Sequence, residues 1–323
     1  MGTKQKRKKI RKTANSKNRF FLNLFLVLLI LPLFFEIFPK DYAKESFSDF
    51  GLINACFKSP DNGGDYVEFL NAGQADCTLI KSGDSAALID FGLQTDGDKL
   101  YTNLLKRGIK KIDLAIITHH HNDHMGGFLN LSEKMKIEHL VISSSSAEDG
   151  EAQLYEQVIK SADQNGTKLI LPVSNSSFSF GNAKLNILSC NDSAVEENNR
   201  SIIIKVNIFG KSILFTGDAD SSIEQEIVQK LNLKCDILKM GHHGSAGSSD
   251  SSFLKAVNPR FAVASCGYDN LYSHPSDLAV ERAKKLGITV LRTDLDYNIR
   301  FSFSPNGNYT VTTERGVIYD NIR

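Results

Sequence analysis

The chain opens with an abrupt change of polarity. Residues 1–19 hold nine Lys and Arg and no acid, and residues 20–38, FFLNLFLVLLILPLFFEIF, are almost wholly apolar, interrupted by Asn23, Pro32 and Glu36. Crossing a bilayer takes about 20 apolar residues, with roughly 17 as the lower limit, whereas the apolar region of a signal peptide runs to about 7–15. No small-x-small cleavage site follows the run, and its basic flank favours a cytoplasmic N-terminus. It reads as an uncleaved, single-pass transmembrane signal anchor at the cell membrane, which leaves the bulk of the chain extracellular. A cleaved signal peptide is the competing reading. The basic tail is then a topological signal rather than a nucleic-acid arm. Residues 39–64 are polar and end on Asp61-Asn62-Gly63-Gly64, the composition of a linker closing in turns.

From residue 65 the pattern becomes regular and predicts one domain through residue 323. Residues 67–70, 77–80 and 86–90 read as strands, the last ending in Asp90. Leu100, Leu104 and Leu105 give residues 99–107 helical spacing, stopped by Gly108. Residues 114–118, LAIIT, predict a buried strand that runs straight into a histidine cluster. Residues 184–188, 201–208, 212–215, 237–240 and 261–265 repeat the strand theme, and residues 222–231 predict a helix capped by serine. Residues 300–303 and 309–313 predict a hairpin around Pro305-Asn306-Gly307. Strands alternating with helices in two similar halves predict an α/β fold of two sheets with helices outside.

Composition changes this picture in two places. The net charge of +1 is uneven: with nine of 38 basic residues in the tail, the rest carries 29 basic against 37 acidic residues, a net of −8. Such a body is a poor general binder of nucleic acid, because affinity for phosphate backbones comes largely from Lys and Arg. The five cysteines, Cys56, Cys77, Cys190, Cys235 and Cys266, are irregularly spaced and form no CxxC, which excludes a disulfide framework or a zinc ribbon. Cys77, Cys190 and Cys235 lie in or beside apolar runs and are expected to be small buried hydrophobes. The odd count leaves at least one free thiol.

The chemistry concentrates in four segments. Residues 118–127, THHHNDHMGG, have the form H-x-H-x-D-H-x-G-G at the end of an apolar strand. A loop of this kind offers His119 and His121 on one side and Asp123 and His124 on the other. Two adjacent pairs imply two adjacent divalent ions, and imidazole with carboxylate suits zinc, manganese or iron. A surface histidine run explains neither the aspartate nor the strand before it. Gly126 and Gly127 let the backbone pass close to the site. Next, residues 213–218, ILFTGD, deliver Asp218, whose two oxygens suit it to bridge two cations. Gly-Asp alone is an ordinary turn; its place after a strand and downstream of the histidines is what singles it out. Residues 238–245, LKMGHHGS, bring His242 and His243, at least one of which is expected to complete the metal shell. Finally His274, in residues 272–276, YSHPS, offers a further ligand or a general acid for the leaving group.

These segments, in this order, resemble the metallo-β-lactamase superfamily over residues 67 to about 313. More narrowly they resemble the hydrolase domain of ComEC-type competence proteins and its stand-alone relatives. The resemblance is carried by residues 69–76, FLNAGQAD, the Asp90-Phe91-Gly92 strand end, the H-x-H-x-D-H loop, Asn198-Asn199-Arg200-Ser201, Thr216-Gly217-Asp218, His242-His243-Gly244-Ser245, His274-Pro275-Ser276 and Arg292-Thr293-Asp294. It implies the αβ/βα four-layer sandwich with the metals at the open edge between the sheets. It also implies supporting positions for Asp76, Asp90, Asn199 and Ser245, with Asp76 orienting the histidine loop. Many members carry a lone histidine between the loop and the bridging aspartate. Here Asn198-Asn199-Arg200-Ser201 stands there, so one metal is expected to draw on His242 or His243. Ala246 replaces a basic residue common in relatives. The many transmembrane helices of a competence channel are absent, so a DNA translocation pore is not expected.

The implied reaction is hydrolysis by water activated between two metals, zinc or manganese, with Asp218 bridging and Asp123 or Asp76 positioning the water. A phosphodiesterase or nuclease is the leading expectation. Its substrate is a small phosphodiester of the cell envelope, which the acidic body favours, or DNA, which the resemblance favours. A lactone or β-lactam hydrolase and a non-catalytic metal-binding envelope protein are the alternatives. Nothing in the sequence signals an obligate protein partner.

Overall fold

The computed structural model describes residues 64–145, 147, 148, 150–314 and 316–322. The basic tail, the apolar run at residues 20–38, the linker up to residue 63 and Cys56 lie outside the described residues. Among the described residues no helix is long and apolar enough to cross a membrane.

Two large sheets carry the domain. The first has nine strands, in spatial order Gly316–Ile322, Tyr309–Thr313, Ile299–Phe303, Asp65–Phe69, Thr78–Ser82, Ser85–Ile89, Leu114–Ile116, His139–Val141 and Lys168–Ile170. The second has seven: Thr289–Arg292, Phe261–Ala264, Ile237–Lys239, Lys211–Phe215, Ile203–Ile208, Ala183–Ser189 and Ser177–Phe180. Both sheets are mixed. Ser85–Ile89, Leu114–Ile116, His139–Val141 and Lys168–Ile170 run parallel in one, and the four strands from Lys211–Phe215 to Thr289–Arg292 run parallel in the other. A short parallel pair, Lys111–Ile112 with Lys136–Ile137, lies apart from them.

Each sheet is buried on both faces, which is why its central strands read as continuous apolar runs rather than alternating ones. Val67, Phe69, Ile89, Ile213, Phe215 and Phe261 point into the core between the sheets. Their strand neighbours Tyr66, Leu70 and Leu88 face the other way, beneath the helices Gly97–Lys106, Phe128–Ser132 and Ala152–Gln164. Leu214, Leu238 and Ala262 likewise pack under Ser221–Lys230, Ser251–Val257 and Asp277–Lys285. The order is helix, sheet, sheet, helix, as expected. Ser221–Lys230 departs from the expectation in its cap: Asp220, not a serine, accepts from the N–H groups of Ser222 and Ile223. A carboxylate there also meets the positive end of the helix.

The cysteines Cys77, Cys190, Cys235 and Cys266 are free thiols. Cys77 and Cys235 are buried as anticipated; Cys190, just past the strand Ala183–Ser189, is only half-buried. Glu68, in the middle of the first strand, is ion-paired to Arg107 at 2.6 Å and Arg300 at 3.0 Å, so a carboxylate is tolerated inside the fold.

Candidate metal centre

The parallel strands of both sheets end at one edge, and the predicted residues gather there. Asp90 follows Ser85–Ile89, the 118–124 loop follows Leu114–Ile116, Asp218 follows Lys211–Phe215, and His242 and His243 follow Ile237–Lys239. Asp90, His242 and His243 have φ of 61°, 48° and 54°, in the left-handed region that non-glycine residues avoid. Such strain persists only where the surroundings fix it. The glycine argument holds for Gly127: a Cβ there would lie 2.2 Å from the Phe91 carbonyl oxygen.

His124 sits at the centre, fully buried. Its Nδ1 donates to Asp90 Oδ2 at 2.9 Å, and Asp90 also accepts from Thr118 N at 2.8 Å and Thr118 Oγ1 at 2.8 Å. With Nδ1 so engaged, Nε2 is the nitrogen turned to the site, 3.4 Å from Asp218 Oδ2 and 3.8 Å from Asp123 Oδ2. His243 repeats the arrangement from the other sheet. Its Nδ1 donates to the Ser265 carbonyl at 3.0 Å with Asp76 Oδ1 at 3.3 Å, and its Nε2 faces Asp123 Oδ2 at 3.1 Å and Asp218 Oδ2 at 3.3 Å. Two imidazole Nε2 atoms thus confront two carboxylates, an arrangement that needs positive charge between them, carried by ring protons or by a metal ion. His124 Nε2 and Asp218 Oδ1 are buried without a hydrogen-bond partner. Buried polar atoms are seldom left so, and this donor set fits divalent cations.

The local field agrees. Burial opposes charge on both rings. Even so, Asp218, Asp123 and Asp90 hold His124, and Asp218 and Asp76 hold His243, well above the ordinary histidine range. In return, against the effect of burial, His243 and His124 keep Asp218 well below the usual carboxylate range, and His124 and His243 bring Asp123 down to about 2. The carboxylates are ionised and the space between them favours cations.

Two ligand groups emerge, each with donor atoms within 4.8 Å: His119, His124 and Asp218, and Asp123, His124 and His243. Asp76, Asp90 and His124 are equally close, but Asp90 and Asp76 are already engaged by His124 and Lys239, which argues against an ion there. His119 Nε2 lies 3.1 Å from His121 Nδ1, while His119 Nδ1 meets Thr118 Oγ1 at 3.2 Å. Burial, then the charge of His124, pushes His119 well below the ordinary value, into the neutral state a ligand needs. His121 is more exposed, with Nε2 3.9 Å from Glu148. Of the adjacent pair, His243 is central and buried; His242 is about a third exposed and approaches Asp218 Oδ2 at 3.8 Å from outside. His120 turns away, its ring 4.5 Å from Tyr155 and its N–H donating to Glu197.

Other expectations need correction. His274 is near, its ring 5.6 Å from His242 and 6.3 Å from His243. Burial, then the two histidines, lower its pKa to about 4, so at neutral pH it lacks the extra proton a general acid gives up. Asp76 does not orient the histidine loop through its side chain; only its N–H reaches the Asp123 carbonyl. The carboxylate instead pairs with Lys239 Nζ at 2.8 Å and braces His243. Asn199 exchanges hydrogen bonds with Asp220, at 3.0 Å each way, and so secures the helix start beyond Asp218. Its neighbour Ser201 holds the bridging position directly, its Oγ accepting from Asp218 N at 2.9 Å. Ser245 Oγ accepts from Gly247 N, a contact that shapes the histidine turn.

Lys239, Ser201, Thr118 and Glu148 were not singled out from the sequence. Lys239 left a signal: a lysine inside the apolar run Ile237-Leu238-Lys239-Met240 needs a buried counter-charge.

Residues 70–181 match the model of the metallo-beta-lactamase superfamily. Competence protein ComA of Neisseria gonorrhoeae is 30% identical over 75% of this chain and 33% of its own length. ComE operon protein 3 of Bacillus subtilis (strain 168) is 30% identical over 62% of this chain and 26% of its own. The chain thus spans about a quarter to a third of these curated relatives. Among solved structures, CmlA, a diiron beta-hydroxylase from Streptomyces venezuelae, superposes with a TM-score of 0.50 at 16% identity, covering 74% of this chain and 54% of that one. At that identity the likeness concerns the fold alone.

Proposed function

Because this chain carries a metallo-beta-lactamase superfamily domain and is related to ComEC-type competence proteins, we propose that it is a metal-dependent phosphodiesterase. The observation that carries the reading is the pair of ring nitrogens, His124 Nε2 and His243 Nε2, aimed from two sheets at the same two carboxylates, Asp123 and Asp218. The donor set of His119, His121, Asp123, His124, Asp218, His242 and His243 suits two divalent ions, zinc or manganese. Divalent ions held there supply Lewis acidity, which lowers the pKa of water and offsets negative charge on an attacked phosphoryl group.

The chain's own groups do the rest. Asp90 and the Ser265 carbonyl hold the Nδ1 side of His124 and His243, which turns both Nε2 atoms into the site. Asp218 Oδ1, buried and unpartnered, leaves that carboxylate a second oxygen that would be free to hold a cation. Asp123, ionised and partly exposed, is placed to accept a proton from attacking water. His274, at the mouth of the site, stays neutral at pH 7.

The substrate is a phosphodiester, either DNA, as the names of the competence relatives suggest, or a small diester of the cell envelope. We place the domain outside the membrane, anchored through residues 20–38, on the strength of the basic flank. The test is the full chain, loaded with Zn²⁺ or Mn²⁺, assayed on bis(p-nitrophenyl) phosphate, single-stranded DNA and a lactone. Diester turnover that vanishes in Asp218→Asn supports the reading. Lactone turnover alone, or no turnover with both metals bound, overturns it.

A further inference from the structure

Beside the metal site, the loop between Phe261–Ala264 and Asp277–Lys285 does something unusual for a soluble surface: it holds large apolar side chains outward on a rigid frame. Tyr268 is 70% exposed, Leu271 98% and Tyr272 69%. The loop is tied down by Asn270. Its amide donates to the carbonyls of Gly267 and His274, at 2.8 and 2.6 Å, and its Oδ1 accepts from the N–H groups of Tyr272 and His274, at 3.2 and 2.9 Å. Gly267 N–H donates to Gln74 Oε1 at 3.1 Å, joining the loop to the other half of the domain. The exposure of these side chains is thus built in, and not the result of a loose segment.

The rings also continue the site. His274 lies nearly parallel to His243, at 19° and 6.3 Å, and Tyr272 lies nearly parallel to His274, at 25° and 5.7 Å. A line of planar groups therefore runs from the buried ligand His243 to an open tyrosine face. Residues 20–323 carry a net charge of −8. Three cations around the site are engaged, Lys239 with Asp76 at 2.8 Å, Arg200 with Glu197 at 3.0 Å and Arg292 with Asp294 at 2.7 Å, and Arg282 is turned onto the Ala246 carbonyl at 2.8 Å. Recognition of a phosphodiester here has little phosphate clamping to draw on. Aromatic faces recognise bases with little regard to sequence, which supplies affinity where charge does not.

We propose that Tyr272, with Tyr268 beside it on the loop, stacks the nucleobase next to the scissile phosphate, so that the site takes short single-stranded nucleic acid through its bases. This rests on the phosphodiesterase reading. It predicts weak salt dependence, less than about tenfold in affinity between 50 and 200 mM salt, as for one or two phosphate contacts.

The experiment uses the full chain loaded with Mn²⁺ and two substrates: thymidylyl-thymidine and the same diester with both bases replaced by hydrogen. Binding is measured by calorimetry and turnover by product release. The base-bearing diester is expected to be preferred about tenfold or more in kcat/KM. That ratio should fall toward one in Tyr272→Ala, mainly through KM, and persist in Tyr272→Phe. An equal loss on both substrates would make Tyr272 a prop for His274, and an unchanged ratio would leave the loop as a surface for a lipid or protein partner. Either result overturns the proposal. If the dinucleotide binds in a Tyr272-dependent way but neither diester is cleaved, the hydrolase reading fails and the stacking assignment stands. If the dinucleotide does not bind, the stacking assignment fails.

Discussion

His124 is held between two carboxylates of different use: Asp90 accepts from Nδ1 at 2.9 Å, and Asp218 lies 3.4 Å from Nε2. Asp90 thereby decides which nitrogen is free to ligate. Asp90→Asn keeps a residue that tolerates the left-handed backbone there but cannot accept from both Thr118 and His124 as before. Affinity for Mn²⁺ should fall about 10–100-fold. Competition with a fluorescent chelator measures it, and unchanged affinity would remove Asp90 from this role.

Lys239 and Asp76 form a buried ion pair that links the second sheet to the loop after the first strand. Removing one partner of such a pair leaves an uncompensated charge and costs about 3–5 kcal/mol. Lys239→Met should lower unfolding free energy by about that much in guanidinium titrations. Asp76→Asn in the same chain should recover part of it, because no orphan charge remains. Equal losses in the single and double variants would show that the pair is not the cause.

Glu224 gives the stability a pH slope. Its carboxyl accepts from the N–H groups of Ser249 at 2.7 Å and Asp250 at 3.1 Å, yet burial dominates and pushes its pKa up to about 8. A folded pKa above the unfolded value means that the native state holds the proton more tightly. The stabilisation is complete below about 4.5 and is lost as pH rises through about 8. Wild type should therefore weaken from pH 5 to 8.5 more steeply than Glu224→Gln, whose amide carries no titrating proton. Parallel curves from urea melts would rule this out.

Gly127 marks the closest backbone approach at the site. A Cβ at that residue needs space held by the Phe91 carbonyl, 2.2 Å away, whereas one at Gly247 meets only Ser245 Oγ at an ordinary 3.7 Å. Gly127→Ala should cost about 1–3 kcal/mol and weaken Mn²⁺ binding, and Gly247→Ala should leave both nearly as they were. Similar melts for the two variants would contradict the packing account.

The strand ends were legible because the fold buries both faces of each sheet, so runs such as Leu114-Ala115-Ile116 stand out from their flanks. The first ligands were legible because they follow one another in a short loop, from His119 to His124. What the sequence could not reveal is pairing across distance. Ser201 meets Asp218, Asp76 meets Lys239, and Asn199 meets Asp220, none of which a local spacing rule connects. The difference between His242 and His243 is likewise a matter of backbone torsion: both are left-handed, and only the three-dimensional turn sends one ring inward and leaves the other at the surface. His274 lies near His242 and His243 as expected, while burial and the nearby imidazoles that set its charge are not written in residues 272–276.

The strand Asp65–Phe69 has Ile299–Phe303 along one side and Thr78–Ser82 along the other. During synthesis from the N-terminus, every candidate ligand from His119 to His274 leaves the ribosome before residue 299 does. A nascent chain stalled at that stage owns the complete donor set but still exposes the open edge of its first strand, the kind of edge that pairs with foreign strands. Covering that edge with Ile299–Phe303 therefore comes after every donor residue is already in the chain.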